Sequence, residues 1–221
     1  MLQALIFDFD GIIVDTESPE LVSYEELYAQ YDVEFPVDTW IATVGGELTF
    51  NAYTYLQKAV GHPLDIDEIR TWRRQRHWEL TKQESLCPGV MDYLRAAQER
   101  SWKIGLASSS PKTWVLPLLE QHNLLPFFDA IVTADQVAQV KPNPELYNRA
   151  LMEVDVAANK AVAIEDSVNG LRAAKAAGMY CVVVPNPVTV KLAWPQGLED
   201  LRLHSLAEVS LADLADRLLG S

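Results

Sequence analysis

The sequence predicts an α/β protein: a doubly wound, Rossmann-like parallel sheet whose chain is interrupted by an all-helical insert. Three observations carry that expectation. Short β-rich apolar runs alternate with helical periods from residue 90 onward, and one more such run lies near the N-terminus. The runs are apolar on both faces, as a parallel sheet covered by helices on each side requires. Between Ser18 and about Gln83 the pattern holds helical periods and no convincing strand.

The elements follow in order. Ala4-Leu5-Ile6-Phe7 reads as a strand that breaks at Asp8-Phe9-Asp10-Gly11. Ser18-Pro19 reads as an N-cap with proline at the first helical position, and Leu21, Tyr24, Leu27, Tyr28 and Tyr31 then recur at helical spacing. Gly45-Gly46 breaks that pattern. A second helix is expected from about Leu48 to Val60, stopped by Gly61. Asp65, with Glu68 three residues on, starts a third that runs to about Lys82. Cys87-Pro88-Gly89 reads as a linker. Beyond it the spacing predicts helices at 90–100, 112–121, 145–153 and 168–177, alternating with strands at 103–108, 129–133, 161–165 and 180–184. The leucines between Leu201 and Leu218 read as a short strand or turn and a closing helix. Residues 1–14 and 88–221 are thus expected to form the α/β core, and residues 15–87 a helical cap domain. The junctions near Val14–Glu17 and Ser85–Gly89 should lie side by side and act as a hinge.

Composition narrows the function classes. A chain of 221 residues, 49% hydrophobic and 22% charged, is an ordinary folded protein rather than a disordered one. No apolar run approaches the roughly 20 residues that span a bilayer. The N-terminal run leads into acids rather than a cleavage site, which argues against a signal peptide. The two cysteines, Cys87 and Cys181, do not make a disulfide framework, and with no export signal a reducing cytoplasm is expected; a monomer is expected as well. A net charge of −13 disfavours nucleic acid and anionic membranes as partners.

In an open parallel sheet, ligands bind outside the carboxyl ends of the strands. The residues at those ends are chemically active. Asp8 and Asp10, two apart, share one face as the first strand ends, and Gly11 lets the chain leave at a sharp angle. Glu165-Asp166 follows a buried strand directly; capping of the next helix by Asp166 or Ser167 accounts for one of these acids but not for both pairs. Carboxylates without a histidine or cysteine cluster suit Mg²⁺. Ser108 ends another strand, ahead of Ser110 as a prospective N-cap and Pro111 in the first turn, and helix-start amides with a hydroxyl make an anion cradle. Lys141-Pro142-Asn143-Pro144 is a rigid lead into a helix, with Asn143 able to cap it and the lysine held at a fixed aim.

These residues carry a resemblance. Asp8-Phe9-Asp10-Gly11 through Asp15-Thr16-Glu17, then Leu106-Ala107-Ser108-Ser109-Ser110, Lys141-Pro142-Asn143-Pro144 and Glu165-Asp166-Ser167-Val168-Asn169-Gly170 resemble the four motifs of the haloacid dehalogenase-like hydrolases. The branch they look most like is that of the β-phosphoglucomutase-like phosphatases with a helical cap. The resemblance implies Asp8 as the nucleophile that becomes an aspartyl phosphate and Asp10 as the general acid and base. It implies Ser108 and Lys141 on the phosphoryl oxygens, with Ser109, Gly11 and Thr16 beside them. Mg²⁺ would be held by Asp8, the backbone carbonyl of Asp10, Asp166 and, directly or through water, Glu165. The implied substrate is a small phosphorylated metabolite, a sugar phosphate first among them.

Departures matter too. Dehalogenases of this fold lack the second aspartate, and Asp10 is present here. Similar mutases carry a histidine matching Glu20 and an arginine shortly after the glycine matching Gly46; this chain has Glu20 and then Glu47-Leu48-Thr49. Hydrolysis is therefore expected over phosphomutase activity, Glu20 being repulsive to a second phosphate, unless folding brings Arg70, Arg73, Arg74 or Arg76 over the site. A non-catalytic phosphate-binding protein is the alternative from another class, and the intact reactive residues argue against it. The basic stretch from Arg70 through Arg73, Arg74 and Arg76 to Trp78 reads either as a solvated helix face with Trp72 and Trp78 buried behind it, or as a basic lip on the active-site mouth.

Overall fold

The computed structural model describes residues 1–41, 44 and 50–220. Strands β1 (Ala4–Phe7), β2 (Lys103–Ala107), β3 (Ala130–Val132), β4 (Ala161–Glu165), β5 (Tyr180–Val183) and β6 (Leu201–Arg202) form one six-stranded sheet in the order β3-β2-β1-β4-β5-β6. Every pairing in it is parallel. The helices are α1 (Glu17–Ala29), α2 (Val37–Ile41), α3 (Ala52–Val60), α4 (Ile66–Thr81), α5 (Val90–Glu99), α6 (Lys112–Gln121), α7 (Glu145–Val154), α8 (Val168–Ala176) and α9 (Leu211–Leu219). None of them is long and apolar enough to cross a membrane.

β1 shows why the sheet is covered on both sides. Its side chains alternate between faces. Leu5 and Phe7 pack with Leu94 of α5, Leu119 of α6 and Leu214 of α9. Ala4 and Ile6 pack with Leu146 of α7 and Leu171 of α8. Each such buried Leu, Ile or Phe contributes roughly 1.5–3 kcal/mol. The chain winds from β1 outward to β3 and then returns to place β4 on the other side of β1. The strand order therefore reverses between β1 and β4, and the crevice at their carboxyl ends is where this architecture opens a ligand site.

The helices α1 to α4 build a separate apolar cluster around Leu27, Tyr28, Phe35, Trp40, Leu56 and Ile69, to which Val188 of the loop after β5 also contributes. The chain leaves and re-enters the α/β part along one line: Val14 pairs antiparallel with Leu86, and the Cys87 amide donates to the Ile13 carbonyl at 3.0 Å.

Most elements fall within a residue or two of the sequence expectation, and the exceptions have local causes. α1 begins at Glu17 rather than after a Ser18 cap. Asp15 accepts from the Glu17 and Ser18 amides at 3.1 and 3.0 Å, and the Ser18 hydroxyl donates to the same carboxylate at 2.7 Å. The carboxylate outcompetes the hydroxyl as the acceptor for the helix start. Asn51 caps α3, so that helix begins at Ala52. The expected start at Leu48 and the Gly45-Gly46 break lie outside the described residues. Helix α2, at five residues, is too short for periodicity to reveal. Asp65 caps α4 as expected, accepting from the Asp67 and Glu68 amides.

Candidate active site

The switch point gathers the acids from both neighbouring strands. The Asp8 amide continues the ladder by donating to Ile164 at 2.9 Å, which sets its side chain beside the end of β4. Oxygens of Asp8, Glu165 and Asp166, all buried, lie within 4.8 Å of one another. The Lys141 ammonium reaches in from the loop before α7, 2.6 Å from Asp8 Oδ1 and 2.6 Å from Glu165 Oε1. Asp8, Lys141 and Glu165 are 6%, 8% and 0% exposed. One ammonium thus faces three buried carboxylates. Burial pushes the Asp8 carboxyl up to about 8; Lys141 pulls it down, while Glu165 and Asp10 push it further up. Burial, Asp8 and Glu17 likewise hold Asp166 well above the usual carboxylate range. Burial acts to lower the Lys141 ammonium, but Asp8 and Glu165 outweigh it and raise it.

This donor set fits a hard divalent cation. All its ligand atoms are oxygens, and its negative charge exceeds what Lys141 balances. Among the described residues, Asp8 Oδ2 and Asp166 Oδ1 have no protein donor. Asp10 adds no carboxylate to this group, because its side chain turns elsewhere; its backbone carbonyl is the donor that the resemblance implies. Glu165 is turned toward Lys141: Oε1 takes that ammonium and, at 2.5 Å, the Tyr147 hydroxyl, while Oε2 accepts from Ser167 at 3.2 Å. Its carboxylate thus holds the lysine while remaining in the oxygen cluster with Asp8 and Asp166.

Two glycines make room for these acids. Gly11 has φ +75°, and a Cβ there would lie 2.1 Å from Asp166 Oδ2. Its amide donates to the Val14 carbonyl at 2.8 Å, so it is spent on the turn rather than left for an anion. A Cβ on Gly170 would lie 1.9 Å from the Glu165 carboxylate, which tucks under the first turn of α8. Ser167, not Asp166, caps α8 by accepting from the Gly170 amide.

Asp10 sits in a cradle of donors. Ser110 Oγ and Ser108 Oγ donate to Oδ2 at 2.6 and 3.3 Å, and Trp114 Nε1 donates to Oδ1 at 2.9 Å. Ser110 is therefore not the N-cap of α6. Pro111 holds the cap position, and Asp135 accepts the Lys112 amide at 2.6 Å. Ser108 is fully buried and accepts from the Ser110 amide, whereas Ser109 is exposed on the cavity wall. Asn143 accepts the Glu145 amide from just outside α7.

These groups open on a cavity of about 850 Å³ between the sheet edge and the helical segment. From the sheet side it is lined by Asp8, Asp10, Lys141 and Asp166; from the other side by Thr16, Glu17, Glu20, Arg73, Arg74 and His77. Thr16 is buried, and its carbonyl accepts from His77 Nε2 at 2.9 Å, tying α4 to the start of α1. Burial and the neighbouring Glu20 and Asp10 raise the Glu17 carboxyl well above its usual range.

The basic stretch of α4 divides. Arg70 and Arg76 pair with Asp67 and Glu26 on the surface. Arg73 is buried and donates to Glu20 at 3.0 Å and to the Tyr53 hydroxyl at 3.0 Å. Trp72 is exposed, not buried behind the helix. Of the arginines that the sequence left open as partners over the site, Arg73 is the one that meets Glu20, and it neutralises that carboxylate in the cavity wall. Gly46, Glu47, Leu48 and Thr49, the other positions of that comparison, lie outside the described residues.

Sequence reasoning missed Tyr147, Trp114 and Asn186. Asn186 Nδ2 donates to Asp166 Oδ2 at 2.7 Å, while its own Oδ1 is held by the Val188 and Thr189 amides. Its one signal was Pro185-Asn186-Pro187, a rigid loop at the carboxyl end of β5.

Comparison with known proteins agrees with this geometry. Residues 5–184 match the family model of the haloacid dehalogenase-like hydrolases. The chain is 44% identical over 218 residues to "Putative phosphatase YhcW" of Bacillus subtilis, covering 99% of this chain and 98% of that one. It is 31% identical to the "Phosphorylated carbohydrates phosphatase" of Thermotoga maritima, covering 80% and 82%. The crystal structure of CbbY from Rhodobacter sphaeroides in complex with phosphate superposes with a TM-score of 0.75 at 30% identity, covering 97% of this chain and 100% of that one. With a parallel sheet of this order and a match across most of its length, the chain belongs to the haloacid dehalogenase-like hydrolase family and is a phosphatase within it.

Proposed function

We propose that the protein is a Mg²⁺-dependent phosphatase that hydrolyses a small phosphomonoester, a sugar phosphate, through an aspartyl-phosphate on Asp8. The observation that carries this reading is the buried Asp8–Lys141–Glu165 constellation at the floor of a cavity whose opposite wall is lined by Thr16, Glu17, Glu20, Arg73, Arg74 and His77. The name of the Thermotoga maritima relative supports the carbohydrate class.

Asp8 attacks phosphorus as the ester P–O bond breaks. Asp10 gives its proton to the departing alcohol, then takes one from water as that water attacks the aspartyl phosphate and restores Asp8. Lys141, aimed by Glu165 and Tyr147, holds a phosphoryl oxygen, and the Ser108 hydroxyl holds another. Asp8, the Asp10 carbonyl and Asp166 would hold Mg²⁺, which when bound offsets the charge of the phosphoryl group facing these carboxylates. Val14 and Leu86, paired at the junction, would be the hinge on which the cap closes and excludes water.

Hydrolysis is favoured over mutase transfer because Glu20 occupies Arg73, one of the two arginines that line the cavity. The test is release of phosphate from p-nitrophenyl phosphate with and without EDTA, followed by a screen of sugar phosphates. Loss of turnover in EDTA is expected. With β-glucose 1-phosphate and a bisphosphate primer, ³¹P NMR should show free phosphate accumulating; glucose 6-phosphate forming faster would replace this reading with a mutase.

A further inference from the structure

We infer that Trp114 is a positioning residue for the Asp10 carboxylate, and that it links the seat of that carboxylate to helix α4. The inference rests on the role proposed above for Asp10. Three donors hold Asp10, and two of them, Ser108 and Ser110, are hydroxyls that can turn and accept instead. The indole Nε1–H at 2.9 Å from Oδ1 can only donate. It therefore fixes one edge of the carboxylate and leaves proton exchange to the other.

The same ring is where the two halves of the protein meet over the site. His77 and Trp78 of α4 pack on Trp114 with ring centroids 4.8 and 5.4 Å away. His77 in turn holds the Thr16 carbonyl at the foot of α1. The indole is thus clamped by α4 while it donates to a carboxylate of the β1 loop. A shift of α4 relative to the sheet moves the donor of Asp10 directly.

The test separates the N–H from the ring. Trp114→Phe keeps an aromatic ring against His77 and Trp78 and deletes the donor; Trp114→Ala deletes both. For p-nitrophenyl phosphate the leaving group departs as its anion, so kcat/KM, which ends at transfer to Asp8, needs no proton from Asp10. For an alkyl phosphate the same step needs that proton. Trp114→Phe is expected to lower the ratio of kcat/KM for the alkyl ester to that for the aryl ester about tenfold, part of the 10²–10⁴ that general acid–base catalysis supplies. It should also lower kcat for both esters, since hydrolysis of the aspartyl phosphate needs Asp10 as base. Trp114→Ala should add a rise in KM for both. An unchanged alkyl-to-aryl ratio in a Trp114→Phe protein of wild-type melting temperature would overturn the inference and leave Trp114 as packing only. Absence of activity in the wild-type protein would instead overturn the phosphatase reading itself.

Discussion

Lys141→Met should destabilise the metal-free protein severely, and its size can be worked from the site. Nζ lies 2.6 Å from Asp8 Oδ1 and 2.6 Å from Glu165 Oε1. The pair is largely withdrawn from bulk water: Glu165 is fully buried, and Asp8 and Lys141 are 6% and 8% exposed at the floor of the cavity. Methionine keeps the aliphatic stem and leaves the carboxylates facing one another. Removing one partner of a buried ion pair costs about 3–5 kcal/mol, mainly because the other charge is orphaned. For a chain of this size 1 kcal/mol moves Tm by roughly 2–4 °C, so the expected fall is about 6–20 °C. The assay is thermal unfolding by circular dichroism near neutral pH in EDTA. Lys141→Met/Glu165→Gln is the internal check: removing the orphaned charge should return at least about 1 kcal/mol, as coupled neighbours do in a double-mutant cycle. A single variant that melts within about 2 °C of wild type, a shift worth no more than about 1 kcal/mol, would refute the reasoning that Lys141 is what keeps this carboxylate cluster foldable.

Asp8→Asn keeps the shape of the nucleophile and removes its charge; turnover should fall by at least about three orders of magnitude while Tm holds or rises. Turnover within tenfold of wild type would take Asp8 out of the nucleophile's role. Mg²⁺ should raise the wild-type Tm, since only the folded chain gathers its ligands, and Asp166→Ala should abolish that rise. Asn186→Leu deletes the donor to Asp166 Oδ2 and should weaken Mg²⁺ ten- to a hundredfold by calorimetric titration, the usual cost of losing a group that orients a ligand; unchanged affinity would make Asn186 a loop residue only. Gly170→Ala drives a methyl to 1.9 Å from the Glu165 carboxylate and should cost about 1–3 kcal/mol in urea unfolding. A neutral result there would mean that α8 lifts freely from the end of β4.

The sequence by itself determined the sheet, the helical insert and the chemical inventory of the site. Strands of four or five apolar residues ending in acids, as at Phe7-Asp8 and Ile164-Glu165, place those acids at one sheet edge whatever the detail of packing. That is because parallel strands share a direction, and their carboxyl ends come together. Local hydrogen bonding made Asp65 and the run before Gly61 legible for the same reason: the partners are only a few residues away. What each side chain holds was decided by tertiary structure. Ser110 reads as a helix cap in sequence, yet its hydroxyl is taken by Asp10, 100 positions earlier. Glu20 reads as a bare repulsive charge until Arg73, 53 positions later on α4, is folded against it. Asn186, Tyr147 and Trp114 carry no motif; each is recruited because a loop or helix delivers it within 3 Å of a carboxylate that needs a donor. Periodicity and capping are written in neighbours along the chain, whereas a buried carboxylate takes its partner from whichever element the packing angle brings nearest.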